Sequence, residues 1–315
     1  MESKMSTQKR ILIIGSANMD FSMNFYKMPE RGETIVDDGG VAYIPGGKGA
    51  NAAIAFKRLG ADSVLCAKLG ADVHGQKLYN YYKDIGLNTS CVKVDHDNPT
   101  GLAIVMREGD GSNRIIVYPG ANSHLTTEGI IEAFECNPDA VYLGFEIPFQ
   151  LVVSAAKIAS SKNIPIFIDA APASKEYDLE KLPPVEIFSP NESETFELTG
   201  IMPNSMESSL RAALALARRV KAKHIVIKQG AKGAFLYDGK RYNTFPAIKT
   251  NKVVDTTAAG DAFTAALTLE YLRTGDIREA IKYANAAGAI TIARAGSASS
   301  VPTADEVAQL MASVE

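Results

Sequence analysis

Short apolar runs alternate with longer segments of helical periodicity along most of this chain. Apolar runs that end in glycine or a polar residue are typical of buried strands in a parallel sheet. They predict strands at 10–15, 63–68, 140–144, 164–169, 187–189 and 224–229. The segments between them predict helices at 73–85, 126–135, 148–160 and 208–221. This alternation predicts an α/β fold, with a mostly parallel central sheet and helices on both of its faces.

Two insertions interrupt the alternation with shorter, strand-like pieces. The first contains strands at 33–36 and 40–44, and the second is a β-hairpin whose strands, 101–107 and 113–118, flank the turn EGDGS at 108–112. We expect these insertions, at about 18–45 and 98–121, to form a small β-sheet lid on one domain spanning 10–310. Pairing of two lids would cover their exposed β-edges, so we also predict a homodimer.

Composition narrows the class of protein. Apolar residues make up 46% of the chain and charged residues 22%, as in an ordinary globular protein, and the net charge of −3 offers nucleic acid no basic surface. No apolar run reaches the roughly 18 residues of a membrane span. The polar start MESKMSTQKR lacks the apolar segment of a signal peptide, so we expect a cytoplasmic protein. The scattered cysteines and histidines support neither a disulfide framework nor a zinc site.

The strongest chemical signal is the stretch DTTAAGDAFTAAL at 255–267. Its small residues Ala258, Ala259 and Gly260 leave backbone N–H groups of a first helical turn open to an anion such as phosphate. Asp261 lies inside that turn, where it would repel a phosphate unless it takes the proton of an attacking hydroxyl group. Alternatively, Asp261 simply favours a helix N-terminus and Gly260 is a turn residue.

Polar residues also cluster where the predicted strands end, which in α/β sheets is the edge at which ligands bind. They are Asn18 and Asp20 after the first strand, Glu146 after 140–144, Asn191 and Glu194 after 187–189, and the turn KQGAKG at 228–233. An amide and a carboxylate two residues apart, as in Asn18 and Asp20, offer donors and acceptors to a polyol. Taken singly, each of these residues could instead be a helix cap or a turn residue.

A glycine-rich helix start lies at GGKGAN, residues 46–51. It is not a P-loop, because Lys48 is followed by Gly49 rather than by Ser or Thr, and it has no dinucleotide-binding GxGxxG register. Backbone and amide groups around Lys48 and Asn51 suit a polar, neutral ligand. Near the end of the chain, Asn285 could meet a nucleotide base. Ser300 and nearby carbonyls offer hard oxygen ligands, which suit alkali or alkaline-earth cations.

The pairing of GGKGAN with DTTAAGD resembles the two signatures of the ribokinase family of sugar kinases, the phosphofructokinase B-like group, and the resemblance extends from about residue 11 to 302. It implies ATP-dependent phosphorylation of a sugar, for which we expect D-ribose at its 5-hydroxyl. Asp261 matches the catalytic base of the family, and the anion hole falls on Ala258, Ala259 and Gly260. The positions that match the sugar site are Asn18, Asp20, Gly46, Gly47, Lys48, Asn51 and Glu146.

The same resemblance implies a nucleotide site and two cations. The nucleotide side matches Asn191, Glu194, Lys228, Gly230, Gly233, Gly260 and Asn285, with Asn191 and Glu194 tied to Mg²⁺ and its waters. A potassium ion is implied beside the anion hole, with ligands from Asp255, Thr257, Thr291, Arg294, Gly296 and Ser300. Relatives commonly carry threonine where this chain has Lys228. That lysine either contacts an ATP phosphate as a point charge or points to solvent.

Two other functions stay open at this point. Within the family, the substrate could be deoxyribose, fructose phosphate or a nucleoside such as adenosine. A sugar phosphate would require extra basic residues in the lid and a nucleoside an apolar base pocket, so the NMD and GGKGAN segments favour a free pentose. Outside the kinases, the chain could be a non-catalytic sugar sensor, although the intact Asp261 and anion hole argue against it.

Overall fold

The computed structural model describes residues 8–108, 113–250 and 252–314. Within these residues the strands are β1 (Arg10–Ile14), β2 (Asn18–Phe25), β3 (Val41–Gly46), β4 (Asp62–Gly70), β5 (Val92–Asp95), β6 (Gly101–Glu108), β7 (Asn113–Tyr118), β8 (Ala140–Gly144), β9 (Ile166–Asp169), β10 (Val185–Ser189), β11 (Ala222–Lys228), β12 (Ala234–Tyr237) and β13 (Tyr242–Phe245). The α-helices are α1 (Lys48–Arg58), α2 (Val73–Asp84), α3 (Thr127–Ala133), α4 (Phe149–Ser161), α5 (Glu192–Thr199), α6 (Met206–Ala217), α7 (Ala259–Thr274), α8 (Ile277–Ile292) and α9 (Ala304–Val314).

The central sheet has nine strands within the described residues, in the order β13-β12-β11-β10-β9-β8-β1-β4-β5. Neighbours from β11 to β5 are parallel, whereas β12 and β13 are antiparallel to β11 and to each other. The predicted α/β class and mostly parallel sheet are therefore confirmed. The sequence analysis did not predict β5 or the β12–β13 hairpin. Strands β5 and β13 are short and half exposed, whereas β12 is a buried apolar run of only four residues.

Both faces of the central sheet are buried, and alternate residues of each strand enter two separate apolar layers. In β1, Ile11 and Ile13 belong to the apolar layer that also contains residues of α1, α2, α7, α8 and α9, whereas Leu12 and Ile14 belong to the layer that contains residues of α3, α4, α5 and α6. A strand buried on both sides needs apolar residues at every position, which explains the continuous run ILII. Full burial of each such side chain stabilises the folded state by about 1.5–3 kcal/mol.

The lid is a second sheet, with strand order β3-β2-β6-β7 within the described residues, and both insertions contribute to it. Strand β2 joins the two insertions, since it pairs antiparallel with β3 and parallel with β6. The predicted strand at 33–36 is wrong. Val36 is 95% exposed and has no apolar surface to pack against, so this segment is a loop. Asn18 and Asp20 follow β1, as predicted, but they lie within strand β2, so the alternative that they are turn residues is wrong.

Parts of two predictions fall outside the described residues. These are residues 109–112 of the predicted hairpin turn and the first seven residues of the chain. Within the residues that are described, no helix has the length and apolar character to cross a membrane. The domain limits at 10 and 310 stay a prediction.

Candidate active site

Two neighbouring cavities lie at the carboxyl edge of the central sheet. The first, about 740 Å³, is lined by residues that end or follow β1, β8, β9, β10 and β11, and by Ala103, Val105, Ile115 and Val117 of the lid. The second, about 520 Å³, lies among the β11–β12 turn, residues 247–250, α7 and α8. Lys228, Gly230, Thr256 and Gly260 line both cavities and so form their common border.

Asn18 and Glu146 are held together at the floor of the first cavity. The Glu146 carboxylate accepts hydrogen bonds from the Ser16 hydroxyl, the Lys48 backbone N–H at 2.9 Å and the Asn18 amide at 3.4 Å. Asn122, buried in the loop after β7, donates to Asn18 Oδ1 at 2.7 Å. The sequence analysis missed Asn122. Its contacts with Ala17 and Asn18 orient the Asn18 amide, whose position therefore depends on three distant segments.

The glycine-rich segment 46–49 lets the start of α1 approach β1 and β2 closely. A Cβ atom at Gly46 would overlap the Asp20 carboxylate, and one at Gly49 would lie 2.6 Å from the backbone of Gly15. Asn51, on the first turn of α1, lines the first cavity beside Gly47 and Lys48. Its Oδ1 atom is buried without a hydrogen-bond partner among the described residues. A buried polar atom in this state points to a ligand donor such as a hydroxyl group.

Two carboxylates of the first cavity have raised pKa values. Burial, followed by the charges of Glu146 and Asp261, raises the pKa of Asp20 to about 7. Burial also raises the pKa of Asp261 to about 6, with Asp169 and Glu146 adding to the shift and Lys48 and Lys228 opposing it. A carboxylate with a pKa near neutrality is suited to take up a proton during a reaction.

Helix α7 begins at the border between the cavities. Ala258, the residue before it, has a φ of 60°, a region that costs a non-glycine residue about 1–2 kcal/mol. Among the described residues no side chain caps this helix. The Ala259 N–H donates to the Thr256 carbonyl at 3.3 Å, and the Gly260 N–H is left for another acceptor. Ala258 and Gly260 line the first cavity, while Ala259 and Gly260 line the second. The predicted anion hole therefore lies at the border between the two cavities.

The nucleotide residues predicted from the sequence divide between the cavities. Gly233 and Asn285 line the second cavity, together with the apolar side chains of Ile248, Phe263 and Ile292. Asn191 and Glu194 line the first and form a reciprocal cap at the start of α5, in which Asn191 Oδ1 accepts the Glu194 N–H at 2.8 Å and Glu194 Oε2 accepts the Asn191 N–H at 2.6 Å. Asn191 and Glu194 therefore do cap α5, which was the alternative role considered for them.

The pair Asn191 and Glu194 also fits a hydrated magnesium ion. Mg²⁺ is usually bound by one or two carboxylates, with phosphates and waters completing its shell. Glu194 is a buried carboxylate facing the first cavity, and burial raises its pKa even though the charge of Lys228 opposes the shift. A nearby divalent cation would favour its ionised form.

The predicted potassium ligands come from two adjoining loops. Val254 and Asp255 donate backbone hydrogen bonds to the Ile292 carbonyl, which brings 252–257 against the segment containing Thr291, Arg294, Gly296 and Ser300. Burial opposes ionisation of Asp255, but hydrogen bonds from Thr257 and the charge of Arg107 keep its pKa below the usual value. Arg107, on lid strand β6, lies 3.6 Å from the Asp255 carboxylate. An ionised carboxylate is the kind of oxygen ligand that a hard monovalent cation takes. The Thr291 carbonyl already accepts a hydrogen bond from the Arg294 N–H, and the Ser300 hydroxyl donates to the Ser297 carbonyl.

Lys228 does not point to solvent, so that alternative is wrong. Its ammonium group lies 2.8 Å from both carboxylate oxygens of Asp169, and the two side chains are only 11% and 4% exposed. The sequence analysis placed Asp169 at the end of a strand but did not assign it to the site. The rule that ligands bind at strand ends, applied to this residue as it was to Glu146, would have found it.

The fold and the site define a phosphotransferase that acts on a hydroxyl group. Comparison with known proteins agrees, since residues 8–304 match the profile described as "pfkB family carbohydrate kinase". The bifunctional ribokinase/ribose-5-phosphate isomerase A of Fructilactobacillus sanfranciscensis is 36% identical over 302 residues, covering 95% of this chain and 55% of that protein. The chain thus spans about half the length of that relative. The ribokinase of Bacillus subtilis is 34% identical over 308 residues, covering 96% of this chain and 99% of that protein.

A solved structure gives the same result at the level of the fold. The structure of Arabidopsis thaliana ribokinase complexed with ribose and ATP superimposes with a TM-score of 0.85, at 29% identity, over 97% of this chain and 99% of that chain. The chain belongs to the pfkB family of carbohydrate kinases and is a sugar kinase. The family resemblance found in the two sequence motifs is confirmed.

Proposed function

We propose that this protein transfers the γ-phosphoryl group of ATP to the 5-hydroxyl of D-ribose. The observation that carries the proposal is the position of Asp261 in the first cavity, on the helical turn that borders the second. The ribokinases that resemble this chain over nearly its whole length support ribose as the sugar and ATP as the donor. Asn18, Asp20 and Asn51 line the sugar cavity with the amide and carboxylate groups that a polyol requires.

Asp261 acts as the general base in this proposal. With a pKa of about 6 it is mostly ionised at neutral pH, yet it is far too weak a base to deprotonate an alcohol beforehand. It therefore orients the sugar hydroxyl and accepts its proton as the bond to phosphorus forms, which a loose transition state allows. The product, ribose 5-phosphate, then leaves with ADP.

The start of α7 and Lys48 stabilise the charge that develops during transfer. The N–H groups at the uncapped start of α7, that of Gly260 above all, would face the transferred group, and they are already oriented before the reaction begins. Burial disfavours the charged form of Lys48, but the nearby carboxylates, Asp261 first among them, raise the pKa of its ammonium group. Lys48 thus remains a cation beside the acceptor hydroxyl. The lid covers the sugar and excludes water, which limits hydrolysis of ATP.

Two cations belong to the proposal. Mg²⁺ would neutralise phosphate charge when bound with ATP, and Asn191 and Glu194 would hold its waters. A potassium ion would be held by Asp255, the Thr257, Thr291, Arg294 and Gly296 carbonyls, and the Ser300 hydroxyl. The low pKa of Asp255 and the contact between its loop and the 291–300 segment support this assignment.

We also propose a homodimer joined through the lid, and a cytoplasmic location where ATP is available. Strands β3 and β7 are the edges of the lid sheet, and their residues Val41, Tyr43, Ile116 and Tyr118 are each more than half exposed. Exposed apolar edge strands favour pairing with another chain.

The function is tested by measuring ADP release with ATP and a panel of pentoses, hexoses, sugar phosphates and nucleosides. We expect the highest kcat/KM with ribose and a phosphorylated 5-position in the product. Asp261→Asn provides the inactive control. Release of ADP that depends on none of these acceptors would contradict the proposal and favour a sugar sensor.

A nucleoside is the second candidate substrate. Ala103, Val105, Ile115 and Val117 give the first cavity an apolar roof, against which a nucleobase could pack. The same panel decides between the two, because a nucleoside kinase would prefer adenosine or another nucleoside to free ribose.

A further inference from the structure

Lys228 occupies the border that the phosphoryl group must cross. The described residues that line both cavities are Lys228, Gly230, Thr256 and Gly260, and of these only the lysine carries a charge. A Cβ atom built on Gly260 would lie 3.7 Å from its Nζ atom, so the ammonium group is close to the first turn of α7. Under the proposed function, the transferred group moves from the second cavity to the first past this point.

A buried ion pair holds Lys228 in this place. Nζ lies 2.8 Å from each oxygen of Asp169 and 3.4 Å from the Thr264 hydroxyl, which in turn lies 3.0 Å from Asp169 Oδ2. A lysine ammonium has three N–H donors, and two are directed at the carboxylate. The third has only the long contact with Thr264, so it can turn to a stronger acceptor such as a phosphate oxygen.

We propose that Lys228 contacts the phosphoryl group during its transfer, and that Asp169 is a positioning residue that holds the lysine at the border. This inference rests on the proposed function. Burying one charge alone is strongly unfavourable, and Asp169 gives the ammonium group a buried partner of opposite charge before ATP binds. The γ-phosphate then supplies a second anionic partner, and Lys228 contacts it from the nucleotide side while Lys48 contacts the acceptor side.

Single substitutions would not test this contact cleanly. Lys228→Gln leaves the Asp169 carboxylate buried, unpaired and close to the phosphates, so it would weaken both folding and ATP binding for a trivial reason. The decisive variant combines Lys228→Gln with Asp169→Asn, because two neutral amides can bond to each other. A second neutral pair, Lys228→Met with Asp169→Asn, reports on the same contact without that hydrogen bond.

The measurements are binding of ADP and of a non-hydrolysable ATP analogue, turnover with ribose, and thermal unfolding. We expect the double variants to unfold near the wild-type temperature and to bind ADP within about threefold of wild type. The ATP analogue should bind about 10- to 100-fold more weakly, as expected for loss of a charge-assisted contact with the γ-phosphate. Asp169→Asn alone should keep the preference for the analogue over ADP and should lower kcat more than it raises KM for ATP.

The control is Lys223→Gln combined with Glu186→Gln, an ion pair at 3.1 Å between the opposite end of β11 and the neighbouring strand β10, which should change neither binding affinity nor turnover. If either double variant keeps the wild-type ratio of analogue to ADP affinity, the proposal is overturned and the pair is purely structural. Because binding is measured without turnover, this result is separate from failure of the proposed function. That failure would appear as a wild-type protein that phosphorylates no sugar.

Discussion

At the scale of single residues, the site is defined by carboxylates whose surroundings give them different protonation behaviour. Burial raises the pKa of Asp20 and Asp261, whereas hydrogen bonds and a nearby arginine lower the pKa of Asp255. Asp255 and Asp261 are six positions apart in one motif, yet their environments suit them to opposite tasks. The lowered pKa of Asp255 suits the proposed cation site, and the raised pKa of Asp261 suits it to accept a proton.

Asp261→Asn tests the base directly. We expect turnover to fall by about 10²- to 10⁴-fold, the usual contribution of general base catalysis. Thermal stability at pH 7 should stay the same or rise, because the amide replaces a carboxylate whose ionisation is disfavoured by burial. Coupled ADP release and thermal unfolding measure the two effects. Asp305→Asn, at an exposed position of α9, is the matched control, and wild-type turnover in Asp261→Asn would exclude the role.

The pH dependence follows from the same shift. The reaction needs ionised Asp261, so kcat/KM should fall about tenfold per pH unit below pH 6. The free energy of unfolding changes with pH in the opposite direction to kcat/KM. A carboxylate with a raised pKa contributes stability that is present below about pH 3.8 and is lost as the pH rises through about 6. Wild type should therefore lose stability relative to Asp261→Asn between pH 4 and 6, and parallel stability curves would argue against the raised pKa.

At the scale of elements, the start of α7 depends on loops from three parts of the chain. The 252–257 segment contacts the end of α8, and Arg107 reaches the same segment from lid strand β6, 3.4 Å from the Thr257 hydroxyl. The conformation of the anion hole is therefore linked both to the proposed cation site and to the lid. Local sequence explains the small residues of this turn, but not what keeps Ala258 at positive φ.

Replacing potassium with tetramethylammonium tests the cation site. We expect activity to fall about tenfold, equivalent to about 1.4 kcal/mol, because the loop that presents the anion hole loses its cation. The measurement is kcat/KM at constant ionic strength over a potassium titration. Asp255→Asn should lose the response to potassium, and activity that is equal in both salts would count against the site.

At the scale of the whole molecule, the lid has two sides with different neighbours. On β7, Ile115 and Val117 line the first cavity and are 56% and 41% exposed, and the alternate residues Ile116 and Tyr118 do not line it and are 60% and 55% exposed. Ile115 and Val117 contribute to the first cavity of their own subunit. Ile116 and Tyr118 form an exposed apolar pair that is suited to contact another subunit.

Ile116→Lys should produce a monomer. A lysine on the proposed interface adds a charge that pairing would bury, and in the dimer it would face or adjoin its own copy. Sedimentation at micromolar concentration should show a dimer for wild type and a monomer for the variant. Ile131→Lys, on an exposed position of α3 that is 53% accessible, is the control and should remain dimeric. A monomeric wild type would remove the proposal.

The sequence by itself determined the central sheet and the two motifs. Strands buried on both faces require unbroken apolar runs. The turn before α7 can be recognised from the sequence because its small residues and its acid are neighbours in the chain. Strand β13 lacks this signal because it is half exposed and polar in part, and β12, although buried and apolar, is only four residues long.

Only the tertiary structure decided which polar side chains become partners. Lys228 and Asp169 are 59 positions apart, and Asn122 and Asn18 are 104 apart. Such pairs cannot be predicted from the local sequence, because each depends on the order and register of strands that meet at one edge of the sheet. The sequence could place Lys228 near a nucleotide, but it could not show that a buried carboxylate holds the lysine between the two cavities.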